Sequence, residues 1–569
     1  MSNSTAGMNN RWPPQIKYIV GNEACERFSF YGMKGILVGY MTATLLKGGL
    51  NMSPDKATSI FHLFVFANYF TPLIGAWLSD KIFGRYNTIL WVSLFYCAGH
   101  GVLAFGDMVQ TADQKFALLC VGLTLIAFGA GGIKPCVSAF MGDQFKSDQN
   151  HLLQKAYGAF YWSINFGSFF SFIVIPQIRD KYGYGWAFGV PGILMAVATI
   201  IFWLGRRHYV RSEPTGDQRW LQKILTSVAI ALGVSCVWII LSKIQLIGSA
   251  AVEMLGAWGP WVKLVVELML LILSIGLCLS AIIVLSVYTV RLHRRIDRNS
   301  EKCEASPFVV WWYGLTSPVM GKTGGLWDSA SKRFAPKSFD NGVSMARILS
   351  IFVLIPPFWA LFDQSHSTWV LQGNKMNVVE LTGIWKTSFG WFFGSHINAE
   401  NMQSTNPLLV MMLVPLMTLM VYPALGKFVT PLRRMGLGMF FAAASYVIVA
   451  WLQQRIDDGE KISVAWQILP YIFLTTGEVL ISATGLEFAF TQAAPAMKST
   501  IMSFWLLTVA VGNALVSIIT SVLSSEAGGH SAAVSPGRFL MYAGLTCVVG
   551  VLFAVVASRY KYRDANAAA

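Results

Sequence analysis

Apolar blocks of about 20 residues recur along almost the whole chain, and this feature restricts its fold most strongly. A helix of about 20 apolar residues is long enough to cross the hydrocarbon core of a bilayer. Only 12% of the 569 residues are charged, whereas about a quarter of the residues in a soluble domain carry charge. The pattern predicts a polytopic membrane protein whose spans are all α-helical.

Fourteen of these blocks are predicted to span the membrane. They cover residues 18–46, 60–78, 89–104, 116–140, 157–176, 186–204, 224–241, 265–290, 348–370, 407–425, 436–452, 464–490, 501–523 and 539–556. The blocks predict a cytoplasmic tail (1–17), a six-helix bundle (18–210), an extra transmembrane hairpin (218–293), a cytoplasmic linker with an amphipathic helix (294–343), a second six-helix bundle (344–560) and a cytoplasmic tail (561–569). Binding is then expected at the midplane between the bundles.

The basic residues of the loops predict the orientation of the chain. Lys81, Arg85, Arg291, Arg294 and Arg433 fall in connections on one side of the predicted spans, and loops rich in Lys and Arg face the cytoplasm. Both termini are therefore predicted to be cytoplasmic. The net charge of +15 would suggest a nucleic-acid partner in a soluble protein. Here we interpret it as orienting the helices, and we expect contact with lipid rather than nucleic acid.

Ionisable residues inside the apolar blocks indicate a polar cavity. Each charge costs about 2.5 to 3.5 kcal/mol at the centre of a membrane helix, and such residues usually face a partner or a cavity. They come from both halves of the chain, which favours a cavity between the two bundles. The set comprises Glu23, Glu26, Arg27, Lys34, His62, Lys134, Asp363, Glu478 and Glu487.

The first span gathers its charges on one face. At the helical period of about 100° per residue, Glu23, Arg27 and Lys34 project to the same side, and Glu23 and Arg27 form an i, i+4 pair with the acid first. The alternative is that Glu23 and Glu26 lie near the cytoplasmic end of the span and reach water. In the fourth span, Lys134 precedes Pro135; the alternative there is a packing kink with an incidental lysine.

Several motifs resemble those of the proton-dependent oligopeptide transporter family. The run 23–32 is similar to its E-x-x-E-R-F-x-Y-Y-G motif, and the resemblance continues, in order, through four further segments: 132–135 with 142–145, 160–168, 477–488 and 497–499. The resemblance implies the major facilitator fold, in which two six-helix bundles are joined here by two extra helices. Bacterial members of the family often carry this extra pair.

The resemblance also implies residue roles. Arg27, Lys34 and Lys134 would receive the peptide carboxylate, and Glu478 with Asn165 and Asn406 would receive the amine. Tyr31, Tyr69, Tyr161, Trp359 and Trp505 would line the site, with Ser482 one turn beyond Glu478. The residues implied in proton coupling are Glu23, Glu26, Arg27, His62, Asp363 and Glu478.

Two positions depart from the family pattern. Phe30 replaces the first tyrosine of the motif, which removes a hydroxyl. Lys34 stands where many bacterial members have arginine, so the charge is kept but a bidentate grip on a carboxylate is lost. The short connection near Asp457 lacks the large extracellular domain of animal members, which favours a bacterial inner-membrane protein.

These observations predict a proton-coupled symporter of di- and tripeptides that works by alternating access as a monomer, without a cofactor. The alternative is symport of another small solute, such as nitrate or a peptide-like drug. An enzyme is disfavoured, because the GKT at 321–323 lacks the earlier glycine of a phosphate-binding loop. His366 and His396 are expected to be solvated, and His100 to serve packing or a local hydrogen bond.

Overall fold

The structure, a computed structural model, describes residues 12–145, 149–211, 285–298, 301–322, 325, 327–426, 430–493, 498–523, 533–560 and 562. The predicted span 224–241 and most of the predicted span 265–290 lie outside the described residues. So do most of the tail 1–17 and nearly all of the tail 561–569.

Long helices make up most of the described chain. The first bundle contains α1 (Ile16–Thr42), α2 (Pro54–Leu78), α3 (Arg85–Ala104), α4 (Ala112–Gly142), α5 (Asn150–Tyr182) and α6 (Tyr184–Leu204). After the gap come α7 (285–297), α8 (Pro307–Thr316), α9 (Asp328–Arg333), α10 (Pro336–Phe352), α11 (Pro356–Asp363) and α12 (Thr368–Gly373). The later helices are α13 (Gly383–Phe393), α14 (Ala399–Met402), α15 (Thr405–Leu416), α16 (Tyr422–Leu425), α17 (Pro431–Asp457), α18 (Ile468–Gln492), α19 (Lys498–Leu523) and α20 (Pro536–Ser558).

Short elements complete the described structure. Strands β1 (Val379–Glu380) and β2 (His396–Ile397) pair antiparallel on either side of α13, a small addition to the predicted all-α fold. Tight turns extend several helices. They are the 3₁₀ turns Leu45–Lys47, Phe105–Met108, Gly205–Arg207, Gln364–His366 and Val464–Gln467 and the π turns Ser79–Phe83 and Met417–Val421.

Ten helical segments of the described chain are long and apolar enough to cross a membrane, and one of them is the run Ala399–Leu425 across α14–α16. This confirms the prediction of a multi-pass membrane protein. The charges on α1 keep it out of this group, although its 27 residues exceed the length of a span. Helices α10 and α11–α12 reach the same criteria only when they are counted together. A count of fourteen spans is not reached within the described residues.

The seventh core span, predicted as 348–370, is interrupted. Helix α10 ends at Phe352 and α11 begins at Pro356. Pro356 and Pro357 occupy the first turn of α11, where the missing N–H groups would have no partner within the helix. The 3₁₀ turn at Gln364–His366 then separates α11 from α12. This span therefore has irregular backbone beside Asp363, a predicted site residue.

The described chain divides into two compact units. The larger holds residues 1–215, 353–488 and 505–559, and the smaller holds residues 216–352, 489–504 and 560–569. In the smaller unit, α7–α10 enclose a separate apolar cluster. Its fully or nearly fully buried members are Tyr288, Leu292, Ile296, Val310, Tyr313, Ala330 and Phe334. Ala330 and Phe334 lie in the linker 294–343, where an amphipathic helix is predicted, and the cluster buries both side chains.

A polar network joins α7 to the segment after α8 within the smaller unit. Lys322 Nζ donates to Asp297 Oδ2 at 2.7 Å, and the Tyr313 hydroxyl donates to Asp297 Oδ1 at 2.6 Å. Burial alone would raise the pKa of Asp297, but these hydrogen bonds and the charges of Lys322 and Arg333 lower it. Asp297 is therefore held as a carboxylate, and it links three segments of the predicted linker region.

Close helix packing in the larger unit depends on glycines. A methyl group on Gly99 of α3 would lie 2.7 Å from Ile126 Cγ1 and 2.8 Å from the carbonyl oxygen of Gly122 in α4. Small residues at such contacts allow membrane helices to pack at short distance. Gly131 of α4 similarly fits against Thr71 of α2.

The substitution Gly99→Ala is expected to destabilise the protein, because the backbone of α4 would have to move away. Overpacking of this kind typically costs about 1 to 3 kcal/mol. Gly101→Ala is the matched control, because a methyl group there meets no atom within 4 Å. Thermal unfolding of the purified protein in detergent should show a lower midpoint for Gly99→Ala only. Equal midpoints for the two variants would contradict this account of the α3–α4 contact.

Candidate functional site

Helix α1 carries charged residues at successive levels of the larger unit. Glu23, Glu26 and Lys34 have exposed fractions of 1%, 0% and 2%. The alternative in which the two glutamates reach water is therefore wrong for this structure. Between Arg27 and Lys34 the helix rises about 10 Å, so its charges face different groups along its length.

The first level contains two carboxylates and one guanidinium. Arg27 Nε donates to Glu23 Oε1 at 2.7 Å and lies 3.1 Å from Glu26 Oε2. The predicted i, i+4 pair is confirmed. One cation thus serves two acids, and neither Glu26 oxygen completes a hydrogen bond among the described residues. A competing anion that engaged Arg27 would leave both acids without their cation.

The second level places Lys134 against aromatic rings. Its Nζ atom lies 3.9 Å from the ring centroid of Phe30 and 4.5 Å from that of Tyr69. Aromatic faces attract a cation through their quadrupoles, so Phe30 contributes a ring face to this lysine. Lys134 Nζ has no hydrogen-bond partner within the described part of the chain. Pro135 lies inside the continuous helix α4.

The third level links α1, α2, α11 and α19 through one carboxylate. Lys34 Nζ donates to Asp363 Oδ1 at 2.7 Å, and Asn513 Nδ2 donates to Asp363 Oδ2 at 2.7 Å. His62 Nδ1 lies 2.7 Å from Asn513 Oδ1, and its Nε2 lies 2.9 Å from Ser367 Oγ. The predicted residues Lys34, His62 and Asp363 therefore belong to one network, in which the charge of Lys34 is already neutralised.

Glu478 belongs to α18, and its partner Asn406 lies on α15. Asn406 Nδ2 donates to Glu478 Oε2 at 2.6 Å and lies 3.1 Å from Thr475 Oγ1. Asn406 and Glu478, which were both predicted to receive the peptide amine, are thus in direct contact. Glu478 is within electrostatic range of Tyr31 and Tyr161 on the first bundle, so residues of both predicted bundles converge here.

Other predicted site residues lie on α5, α11, α18 and α19. Trp359 and Trp505 are buried and form an edge-to-face pair with centroids 6.3 Å apart, while Ser482 is half-buried. Asn165 is buried, and its amide donates to the Tyr161 carbonyl oxygen of its own helix at 3.0 Å. No hydrogen bond joins Asn165 to Glu478 in the described residues, so its predicted contact with the amine stays a prediction.

Glu487 departs from its expected environment. It was grouped with the intramembrane charges, but its side chain is 54% exposed and lies 3.5 Å from Arg434 Nη1.

His366 also differs from expectation, because it was expected to be solvated. It is buried, and its Nδ1 lies 2.7 Å from Gln403 Oε1. The 3₁₀ turn between α11 and α12 directs His366 into the protein instead of toward the end of the span.

Sequence reasoning missed the polar groups that join the two halves of the larger unit. Gln403 Nε2 donates to the Gly35 carbonyl oxygen at 2.9 Å, and Arg179 of α5 forms an ion pair with Glu400 of α14. Asn513 was missed as well, although an amide inside the apolar run VGNALV is a detectable signal. These contacts join α1 and α5 to residues on or next to the short helix α14. No periodic pattern in the sequence predicts them.

The described residues contain no group of three or more His, Cys, Asp and Glu side chains that could hold a metal ion. The charged groups of α1 instead form two separate sets, Arg27 with Glu23 and Glu26, and Lys34 with Asp363. Such pairs can exchange partners with a charged solute and with protons.

Comparisons with known proteins identify the family of the chain. The model of the POT family matches residues 86–298 and 329–532. Peptide transporter 3 of Caenorhabditis elegans is 32% identical over 457 residues, which cover 79% of this chain and 52% of the relative. Solute carrier family 15 member 2 of Rattus norvegicus is 28% identical over 487 residues, or 83% of this chain and 54% of the relative. The chain spans about half the length of the curated relatives it matches.

Solved structures align over nearly the full chain. A crystal structure of an auto-inhibited POT family peptide transporter is 36% identical, has a TM-score of 0.69, and is matched over 97% of this chain and 98% of its own. A proton-dependent oligopeptide (POT) family transporter is 37% identical with a TM-score of 0.63, over 95% of this chain and 100% of its own. These likenesses confirm the major facilitator fold. Because the family model covers more than half of the sequence, the chain belongs to the POT family.

Proposed function

We propose that the protein is a proton-coupled symporter that imports di- and tripeptides by alternating access. It uses the proton gradient without a cofactor, acts as a monomer in the cell inner membrane, and has both termini in the cytoplasm. One observation carries the proposal. Arg27 on α1 and Glu478 on α18 both lie within electrostatic range of Tyr31, and Lys134 on α4 lies within range of Arg27, so opposite charges are available for the two ends of a zwitterion.

A short peptide has two constant charged ends and variable side chains. Its carboxylate would bind the Arg27 and Lys134 region, and its amine would bind Glu478 beside Asn406. Adaptable aromatic surfaces such as Trp359 and Tyr161 would contact the variable parts. Since the cations and Glu478 belong to different bundles, a bound peptide would draw the bundles together, as alternating access requires. Two relatives carry the words peptide transporter in their names.

Lys134 is the cation best prepared to receive the peptide carboxylate. Lys34 already pairs with Asp363 at 2.7 Å, whereas Lys134 contacts ring faces and completes no hydrogen bond among the described residues. A charged group without a full set of partners gains more from an incoming counter-ion than a satisfied one does. We therefore propose that the peptide carboxylate first contacts Lys134, and that Lys34 stabilises the structure through its ion pair with Asp363.

Proton coupling follows from the shared cation at the first level. A peptide carboxylate that engaged Arg27 would compete with Glu23 and Glu26 for it. A carboxylate that loses its cationic partner takes up a proton more readily. Peptide and proton would then favour each other's binding, and this coupling is reciprocal. His62, Asp363 and Glu478 are the further residues through which we propose that protonation acts.

The contacts between the halves suggest which end of the transporter is closed. Lys34–Asp363, Arg179–Glu400 and the hydrogen bond from Gln403 to Gly35 all lie toward the end of α1 marked by Thr42. With a cytoplasmic amino terminus, this is the outer end. We propose that these contacts form the outer closure and separate when the site opens outward.

The alternative substrates make different demands on Glu478. Nitrate has no amine, so the Asn406–Glu478 pair would face it with the wrong charge. A peptide-like drug that keeps both the amine and the carboxylate would use the same contacts as a peptide. The geometry therefore favours a zwitterionic solute over a simple anion.

Proteoliposomes that contain the full chain should accumulate labelled dialanine when an inward proton gradient is imposed. Glu26→Gln should abolish this accumulation, because the amide cannot exchange a proton, while exchange of labelled for unlabelled dialanine without a gradient continues. Glu23→Gln and Glu478→Gln test the other carboxylates in the same assay. No stimulation of the wild-type protein by the gradient would overturn the proposed function, and accumulation by all three variants would overturn the coupling mechanism.

Amidation of the peptide carboxyl terminus should weaken binding to the wild-type protein by about tenfold, because a charge-assisted contact is lost. The Lys134→Gln variant should bind the peptide with a free carboxyl terminus and the amidated peptide almost equally, because the interaction between Lys134 and the peptide carboxylate is absent. Inhibition of dialanine uptake by each peptide measures these affinities. Lys155→Gln, which changes an exposed lysine, should retain the wild-type preference. A preference retained in Lys134→Gln would exclude Lys134 from carboxylate binding.

A further inference from the structure

Two buried residues of α3, Tyr96 and His100, lie against the charged part of α1. Each has an exposed fraction of 0%. They are one helical turn apart and run alongside Glu26 and Ser29, which are also about one turn apart. Neither Tyr96 nor His100 belongs to the peptide-contacting groups proposed above.

His100 fixes the position of this pair. Its Nε2 atom lies 3.0 Å from Ser29 Oγ, and its ring stacks on Tyr96 with centroids 5.3 Å apart and an interplanar angle of 14°. Neighbouring helices hold both side chains from behind. Gly129 of α4 leaves room for Tyr96, and Gly192 of α6 leaves room for His100. The His100 ring therefore covers one face of the Tyr96 ring, and the close approach of Gly129 restrains the Cβ end of the Tyr96 side chain.

Because His100 contacts Ser29, Tyr96, one turn before His100 on α3, comes beside Glu26, which lies three residues before Ser29 on α1. The hydroxyl and the carboxylate interact there. In this conformation neither the hydroxyl oxygen nor either Glu26 oxygen completes a hydrogen bond with any described residue. The charged groups around this carboxylate are Arg27 and Glu23 on α1 and Lys134 on α4. Tyr96 thus places a neutral hydroxyl next to an acid whose ion-pair partner, Arg27, is shared with Glu23.

A hydroxyl suits a carboxyl group that changes its protonation state. It can donate a hydrogen bond to a carboxylate, and it can accept one from a protonated carboxylic acid. Arg27 offers only donors, so it cannot bond to the acidic proton. A buried carboxyl that lost Arg27 to another anion would otherwise have no polar partner, which is costly.

We propose that Tyr96 is a positioning residue for proton coupling, held in place by His100 and Ser29, that becomes the hydrogen-bond partner of Glu26 when a peptide carboxylate engages Arg27. This inference rests on the proposed function. It adds that Tyr96 and His100 on α3 determine how readily Glu26 takes up and releases its proton.

Tyr96→Phe removes the hydroxyl and keeps the ring. Hydrogen bonds to charged groups are about twice as strong as those between neutral groups, so this change disfavours the carboxylate more than the acid. Uptake should then reach half of its maximal rate at a pH about one unit higher. Because Glu26 would release its proton less readily, gradient-driven accumulation of dialanine should fall about fivefold, while gradient-free exchange should stay within about twofold of wild type.

Two further variants separate positioning from general damage. Ser29→Ala removes the tether of His100 and should produce a smaller shift in the same direction. Tyr86→Phe is the matched control, because Tyr86 is a buried tyrosine of α3 that stacks on Phe202; its profile should match wild type. If wild type responds to the gradient and Tyr96→Phe keeps the wild-type pH profile, this inference is wrong while the proposed function stands. If wild type itself gives no response, the proposed function fails.

Discussion

The free-energy cost of placing charge on a buried helix governs this structure. Helix α1 buries Glu23, Glu26 and Lys34 almost completely, and isolated charges at such positions would be strongly unfavourable. The chain compensates for them in different ways. Arg27 serves the two glutamates within α1, whereas Lys34 depends on Asp363 from the other half of the chain.

This difference connects stability with movement. A pair within one helix stays intact when the bundles move, but a pair between the halves must break or exchange partners. Lys34–Asp363 and Arg179–Glu400 belong to the second kind. Breaking a buried pair is costly unless water or another ion replaces the lost partner. The proposed outer closure could therefore open only if the separated groups became hydrated or found new partners, which would tie the proposed conformational change to the charge state of these residues.

The sequence predicts well what depends on local spacing. The length of the apolar blocks indicates the spans, and the spacing from Glu23 to Arg27 predicts their ion pair because both residues lie on one helix. The Lys34–Asp363 pair joins residues 329 positions apart, and no local pattern determines that distance. Pro356 and Pro357 mark the break in the seventh core span, but only the fold shows that the following turn buries His366. Substitution of Phe30 was interpreted as a lost hydroxyl, whereas the structure shows its ring face against Lys134.

The two lysines of the site show why residue type alone does not determine a role. Both were assigned to the peptide carboxylate, yet their environments differ. Lys34 has a carboxylate at 2.7 Å, while Lys134 has aromatic faces at 3.9 and 4.5 Å. A cation–π contact stabilises an ammonium by less than a buried ion pair does and leaves its N–H groups free to donate. The weaker compensation is the one suited to a binding site, because a ligand can improve on it.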